Sequence, residues 1–543
     1  MAKMKSRKDG SRFLPNMIDK LANESPTKSF ISVPRTAYLD EGFHDITYSS
    51  YADAINRAAW WLDEKFGKAT PATFETVAYI GPNDLRQVIL MVAAMKSGRK
   101  LLMLSPWASL EGKLSLMEKT KATALLFARI PSNNDQLQDL KSIKPEFPSF
   151  EVPGESTWLE NKDAVSLYEY CRTWEEGLHD PVVVFTTSGT TGLPKPLVFT
   201  NSVIMSFDAM YHLQYQGQTL STHDMTGRRI FVPFPLLHVG GWGHCLIYPV
   251  YFDFVAVIVP NKVQTADVVS MVISTTSVSA TVIYPALIEE IFRKSQSFEI
   301  LQGLDIVWWG GAPLSKSIGD SLSKIVDLRT KYGASEYLWP PFLNVGTENW
   351  NYLSIPPQVG MEFVARGQGL FELLVVRKAE CADFQNVFEL YPDTHHYYSR
   401  DLWSAHPTRE NTWKYEGRVD DMTCLSTGQS VFVLPLELVM QECPLVKGVV
   451  IGGHGRRNLW MVIESEGTVS NDETHEYLKR LWPWIEKANT IATKNGRLQR
   501  HLTVVAPSEK PFPRLGKGSI DRRAVASMFE RELNDCYLAP VRG

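Results

Sequence analysis

Residues 182–195 read VVVFTTSGTTGLPK, an apolar run feeding Thr186, Thr187, Ser188, Gly189, Thr190, Thr191, Gly192, Leu193, Pro194 and Lys195. Hydroxyls, two glycines and a lysine on one short loop suit one kind of chemistry. Glycine lets backbone N–H groups turn toward an anion, hydroxyls add donors, and lysine adds charge. The loop reads as a phosphate cradle. It is not a Walker A loop, which needs GxxxxGK followed by Ser or Thr and then a helix. Here Pro196 follows Lys195, and PLVFT continues as a strand. A solvated Ser/Thr/Gly turn is the bland alternative, but ten consecutive residues of this pattern make chance a poor account.

Few other chemistries have the residues they need. The six cysteines, at 171, 245, 381, 424, 443 and 536, form no CxxC or Cys/His cluster, which argues against a zinc site or a disulfide scaffold. Lys plus Arg number 56 and Asp plus Glu 60, so the chain lacks the basic excess of a phosphate-neutralising nucleic-acid binder. The GGHG of residues 452–455 lacks the rest of a dinucleotide fingerprint and reads as a strand end and tight turn.

The elements that must position the loop alternate in type. ITYSSYADAINRAAWWL (46–62) has helical spacing after Thr47, VAYIG (77–81) reads as a buried strand, and residues 83–98 as a helix closed by Gly98. Further apolar runs (LLML, TALLFA, RIFVPF, FVAVIVP, ATVIY, LDIVWWG) alternate with helical stretches such as 285–295 and 315–326. The fold class is α/β: mainly parallel sheets covered by helices on both faces. After about 370, FELLVVR, HYYS and TWKYEGRVDD read as a smaller antiparallel β unit, and from 420 onward as a small α+β domain. At 543 residues the chain exceeds one compact core, and we divide it into a large domain, 1–419, and a small mobile C-terminal domain, 420–543. Residues 1–30 read as polar, basic and loose at the start. No apolar stretch of signal-peptide length follows the N-terminus. The run 246–260, with Asp253 and two prolines, is too short for a membrane span. The expectation is a cytoplasmic protein with no nucleic-acid or membrane partner.

From about residue 46 to 530 the chain resembles the AMP-forming ligases, which include acyl- and aryl-CoA synthetases, luciferases and peptide-synthetase adenylation domains. The closest likeness is to adenylation domains of fungal peptide-synthetase-like reductases, through AYIGPNDLR (78–86), SGTTGLPKPL (188–197), GRVDDMTCLSTG (417–428), VVIGGHGRR (449–457) and KPFPRLGKGSIDRR (510–523). The resemblance implies that a carboxylate attacks the α-phosphorus of ATP, giving an acyl-adenylate and pyrophosphate. A thiol of CoA or of a phosphopantetheine-bearing carrier protein then takes the acyl group. Two anions must meet, so magnesium, lysine and N–H donors offset the developing charge.

The resemblance also implies roles, residue by residue. KYGASEY (331–337) supplies Tyr332 against the adenine, with Gly333 and Ser335 beside it, and Glu336 on magnesium. WWGGAPLS (308–315) lines the adenine and acyl pockets through Gly310, Gly311, Ala312 and Pro313, where Gly-Gly permits close backbone approach. His238 of PFPLLHVGGWG borders the carboxylate; alone, a histidine there would more often be structural. Asp401 of HYYSRDLW accepts the ribose hydroxyls, with Arg400 where glycine is usual, a cation able to clash or to add a phosphate contact. Arg418 approaches ribose and phosphates, and Asp420 falls at the hinge. Lys517 is the catalytic lysine, although in the commoner GKI or GKV register Ser519 takes the lysine's place.

Amino-acid-activating relatives place an aspartate near residues 229–250 to pair with the substrate's α-ammonium. That stretch here holds no acidic residue, and a buried ammonium without a counter-charge is costly. The expected substrate is a small-molecule acid lacking an α-amino group, aryl or apolar. Without a carrier segment or a reductase domain, the chain reads as a stand-alone or excised adenylation unit. The alternative is a degenerate nucleotide-binding relative without ligase activity, favoured by Arg400 and the displaced lysine.

Overall fold

The computed structural model describes residues 9–70, 73–106, 108–129, 134–187, 193–295, 298–367, 369–419, 422–427, 430–492, 496–514 and 519–538. The phosphate loop Ser188–Gly192, the hinge residue Asp420 and Lys517 lie outside these residues.

Two large sheets carry the chain's strand–helix alternation. A seven-stranded sheet runs in the order Asp327–Lys331, Ile306–Gly310, Ala280–Ile283, Arg229–Phe231, Val255–Val257, Ser29–Pro34, Phe43–Thr47. All its pairings are parallel except the last. A six-stranded sheet runs Ser149–Glu151, Ala122–Phe127, Glu75–Ile80, Arg99–Met103, Pro181–Thr187, Lys195–Thr200, again parallel save the last pair. The strands are continuous apolar runs because both faces are covered: all four residues of Ala280–Ile283 are buried. One core joins the two sheets, with Phe30 and Trp308 from the first and Val77 and Phe185 from the second. As the sequence implies, Pro196 opens a strand and not a helix: Lys195–Thr200 folds back antiparallel on Pro181–Thr187, with Thr187 opposite Lys195.

Local signals set the helices. Thr47 accepts a hydrogen bond from the Ser50 N–H at 3.2 Å and starts the helix Tyr48–Phe66. Gly98, at φ +70°, follows the helix Arg86–Lys96. Ser315 caps Lys316–Leu322 through the Ile318 N–H. The very start of the chain, residues 1–8, lies outside the described residues, and the polar, basic stretch continues into an ordered element. Leu14–Glu24 is a helix whose Leu14, Met17 and Ile18 are buried in the main core. The apolar run 246–260 is divided among the π-helical turn Gly243–Ile247, the helix Tyr248–Phe252 and the strand Val255–Val257. Among the described residues no helix is long and apolar enough to cross a membrane.

The smaller β unit is a five-stranded antiparallel sheet: Tyr352–Ser354, Thr412–Arg418, His396–Ala405, Leu370–Val376, Met361–Gly367. Its core includes Tyr332, Tyr337 and Trp403, so it packs where the large parallel sheet ends. Beyond residue 422 a three-stranded sheet, Val446–Gly452, Trp460–Ser465 and Thr503–Val505, packs against helices that include Leu434–Gln441 and Thr474–Ile491. Arg293 of the large sheet's helix Pro285–Ser295 reaches Glu466 of this C-terminal region at 3.3 Å.

Candidate active site

In an open parallel sheet the carboxyl ends of the strands border a crevice. Here the ends of Ala280–Ile283, Ile306–Gly310 and Asp327–Lys331 open onto a cleft of about 1800 Å³. Lys195, His238, Gly310, Gly311, Ala312, Pro313, Tyr332, Gly333, Ser335, Glu336, Asp401 and Arg418 all line it. Thr186 lines it too, near the end of the strand Pro181–Thr187 that enters the phosphate loop. From the C-terminal region come Glu437, Arg514, Ser519 and Arg522. These residues singled out in the sequence therefore share one cavity.

Backbone shape makes one wall. Gly310 is paired with Lys331, and a Cβ on Gly310 would fall 2.3 Å from the Lys331 carbonyl oxygen. Gly311 adopts φ +93°, and a Cβ there would meet nothing within 4 Å. The wall is thus bare main chain with open space before it, which suits a flat ring laid on it.

The same cleft holds a buried polar network. The Tyr332 hydroxyl donates to Asp401 Oδ2, and the hydroxyl oxygens of Tyr332 and Tyr337 lie against each other around that acceptor. The Tyr337 hydroxyl donates to the same Oδ2 at 3.0 Å. Arg418, opposite Asp401 on the neighbouring strand, holds its Nε 3.6 Å from Oδ1. Burial raises the Asp401 carboxyl above the usual range, against the pull of the Tyr332 hydroxyl and Arg418; Glu336 nearby adds to the rise. Burial also pushes Tyr332 and Tyr337 well above the ordinary phenol range, so both hydroxyls stay protonated and donate. Spent on Oδ2, they leave Oδ1 as the acceptor facing Arg418.

A bulge aims Asp401. Leu402 pairs with Glu372 and Tyr398 with Leu374, so residues 399–401 crowd opposite a single partner, and Arg400 sits at φ +63°. Buried Glu372 pins the turn by accepting the Arg400 N–H at 3.1 Å. Glycine adopts this left-handed backbone freely, whereas other residues pay about 1–2 kcal/mol. Arg400 itself is exposed and is not among the described residues that line the cleft. Arg400→Gly is expected to raise stability by up to about 1 kcal/mol, and Arg400→Val to lower it by about 1–2 kcal/mol, in denaturant unfolding. Equal unfolding midpoints for all three proteins would refute the strained-bulge account.

Two histidines are set by one glycine. His238 caps the helix Val239–Trp242, its Nδ1 accepting the Gly240 N–H at 3.0 Å, which places the ring proton on Nε2. The Gly240 carbonyl in turn accepts from His244 Nδ1 at 2.8 Å, which leaves His244 Nε2 an acceptor. That acceptor meets Lys331 Nζ at 3.0 Å. Burial, with Lys331 adding its charge, drives His244 well below the usual imidazole range; burial drives the Lys331 ammonium down to about 7. Sequence reasoning missed Lys331, His244 and Tyr337. Strand parity gave no signal for Lys331, which lies three residues from the buried Leu328 and therefore on the opposite face of its strand.

Asp253, the acid nearest the acid-free stretch, turns away to pair with Lys28 at 2.5 Å. Glu336 is half-buried on the cleft wall, a carboxylate suited to a cation that keeps its waters and phosphate ligands.

Residues 29–361 match the family described as AMP-binding enzyme, and residues 420–540 match its C-terminal domain. A carboxylic acid reductase of Neurospora crassa is 29% identical over 98% of this chain and 51% of its own length. An adenylate-forming reductase of Serpula lacrymans is 26% identical over 97% of this chain and 50% of its own. The chain thus spans about half the length of these curated relatives. Among solved structures, the A domain of a carboxylic acid reductase from Segniliparus rugosus, in complex with AMP and a co-purified carboxylic acid, superposes with a TM-score of 0.74 at 14% identity, over 97% of this chain and 94% of that one. ATP-bound MatB from Rhodopseudomonas palustris gives 0.71 at 14% identity, over 96% and 99%.

Proposed function

The chain belongs to the AMP-binding enzyme family, and on that premise we propose that it activates a carboxylic acid as its acyl-adenylate and passes the acyl group to a thiol. A carboxylate oxygen attacks the α-phosphorus of ATP, the bond to the bridging oxygen breaks, and pyrophosphate leaves with the electron pair. The thiol sulfur of CoA or of a carrier protein's phosphopantetheine then attacks the acyl carbon, and AMP departs. What supports this reading is the convergence of Asp401, Tyr332, the Gly310–Pro313 main chain, Lys195 and His238 on one cleft.

Each residue has a task there. Tyr332 and the bare Gly310–Gly311 main chain hold the adenine. Asp401 Oδ1 accepts from the ribose, with Arg418 beside it. Residues 188–192 and Lys195 receive the phosphates. Glu336 would hold magnesium, which when bound neutralises phosphate charge. The Nε2 proton of His238 binds the substrate carboxylate. The region beyond Asp420 swings as a small domain and brings in Lys517. The lack of an acidic partner in the stretch 229–250, with Asp253 engaged elsewhere, supports a substrate without an α-amino group. We place the reaction in the cytosol, where thiols stay reduced.

ATP–pyrophosphate exchange against aryl, aliphatic, keto and α-amino acids tests this. Exchange is expected with acids lacking the amino group. Exchange only with α-amino acids would sink the substrate reading. ATP binding without exchange for any acid would favour a nucleotide binder that has lost ligase chemistry.

A further inference from the structure

A lysine inside a protein is normally matched by an acid or left at the surface. Lys331 is neither. It is 5% exposed, lines the cleft, and none of the acidic residues lining that cleft pairs with it. Its ammonium carries three donors. One meets His244 Nε2 at 3.0 Å, and the charge lies 4.6 Å from the centroid of the Tyr248 ring. At least one N–H therefore has no acceptor among the described residues.

The surroundings hold that ammonium in place. His244 is 1% exposed and fixed from behind by the Gly240 carbonyl. Trp339 packs edge-on against His244 at 5.0 Å and lines the cleft beside it. Gly243 is needed for this fit, since a Cβ there would lie 2.6 Å from Trp339. The turn Gly243–Ile247 is π-helical, an irregularity often found at functional sites. The result is a rigid, desolvated amine on an otherwise aromatic wall, which a bound anion would hold in its charged form.

We propose that Lys331, positioned by His244, selects acids that carry a second anionic oxygen, a distal carboxylate, so that the substrate is a dicarboxylic acid. This rests on the acid-activating function proposed above and narrows it. The first carboxylate goes to the phosphate side beside His238, and the second supplies the counter-charge that the protein leaves out. The same cation repels an α-ammonium.

The test pairs acids of matched size: adipate with hexanoate, and terephthalate with benzoate. In ATP–pyrophosphate exchange the wild-type chain is expected to favour the diacid of at least one pair by tenfold or more in kcat/KM. Lys331→Met should reverse that preference by about 100-fold while keeping exchange with the monoacid. Adipate and terephthalate binding, followed by calorimetry without ATP, should be lost in the same variant, and Lys331→Arg should restore part of it. Equal losses for both members of each pair, or a wild-type preference for the monoacids, would overturn the proposal while leaving acid activation standing. No exchange with any acid would sink the activation reading, and calorimetry would then decide diacid recognition by itself.

Discussion

Lys517→Ala is expected to lower ATP–pyrophosphate exchange by about 10²–10³-fold, the scale of losing one charged group that stabilises a developing anion. Thermal unfolding and ATP affinity should change little, because the lysine's charge is proposed to matter most in the transition state. The comparison that gives this test its force is Ser519. It stands where the commoner family register puts the lysine, and it lines the cleft with its hydroxyl buried and unbonded among the described residues. Ser519→Ala should leave exchange within a few-fold of wild type. If Lys517→Ala exchanges normally, the lysine assignment fails, and another cation on the cleft wall, such as Lys195, would have to be considered.

The second large effect belongs to Asp401. A hydrogen bond to a charged group is worth about 1.5–3 kcal/mol, which corresponds to about 10- to 100-fold in affinity. Asp401→Ala should raise the KM for ATP by that factor. It should also cost about 1–3 kcal/mol of stability, because the Tyr332 and Tyr337 hydroxyls lose their shared acceptor in a buried site. Asp401→Asn separates the two roles. It keeps an oxygen for the tyrosines and removes the charge, so stability should largely recover while the KM stays high. An unchanged KM in both variants would mean that Asp401 serves only the tyrosine network.

Much of the scaffold could be read from local pattern. Thr47 marks the start of its helix, Gly98 follows the end of another, and the buried parallel strands stand out as unbroken apolar runs. The N-terminal helix was hidden because Leu14, Met17 and Ile18 sit among basic and polar neighbours in a segment judged by its overall charge. The site divides in the same way. Contiguous motifs pointed to Lys195, Tyr332, Glu336 and Asp401. The reason Arg400 tolerates a glycine's position was not legible, since it depends on pairing between strands nearly thirty residues apart and on Glu372. The Lys331–His244 contact spans 87 residues, and Tyr337 joins Asp401 across 64. No local periodicity encodes such encounters; only the folded topology brings these groups together.

The two peptide groups that meet at Gly240 tie two imidazoles to each other. The residue's N–H dictates that one ring presents a hydrogen outward, and its C=O dictates that the other presents a lone pair. The N–H belongs to the peptide group before Gly240 and the C=O to the one after it, so neither ring can be retuned alone: moving this residue disturbs both. A chain evolving toward a new acid would therefore change the residues around this pivot, the lysine first, before moving the pivot itself.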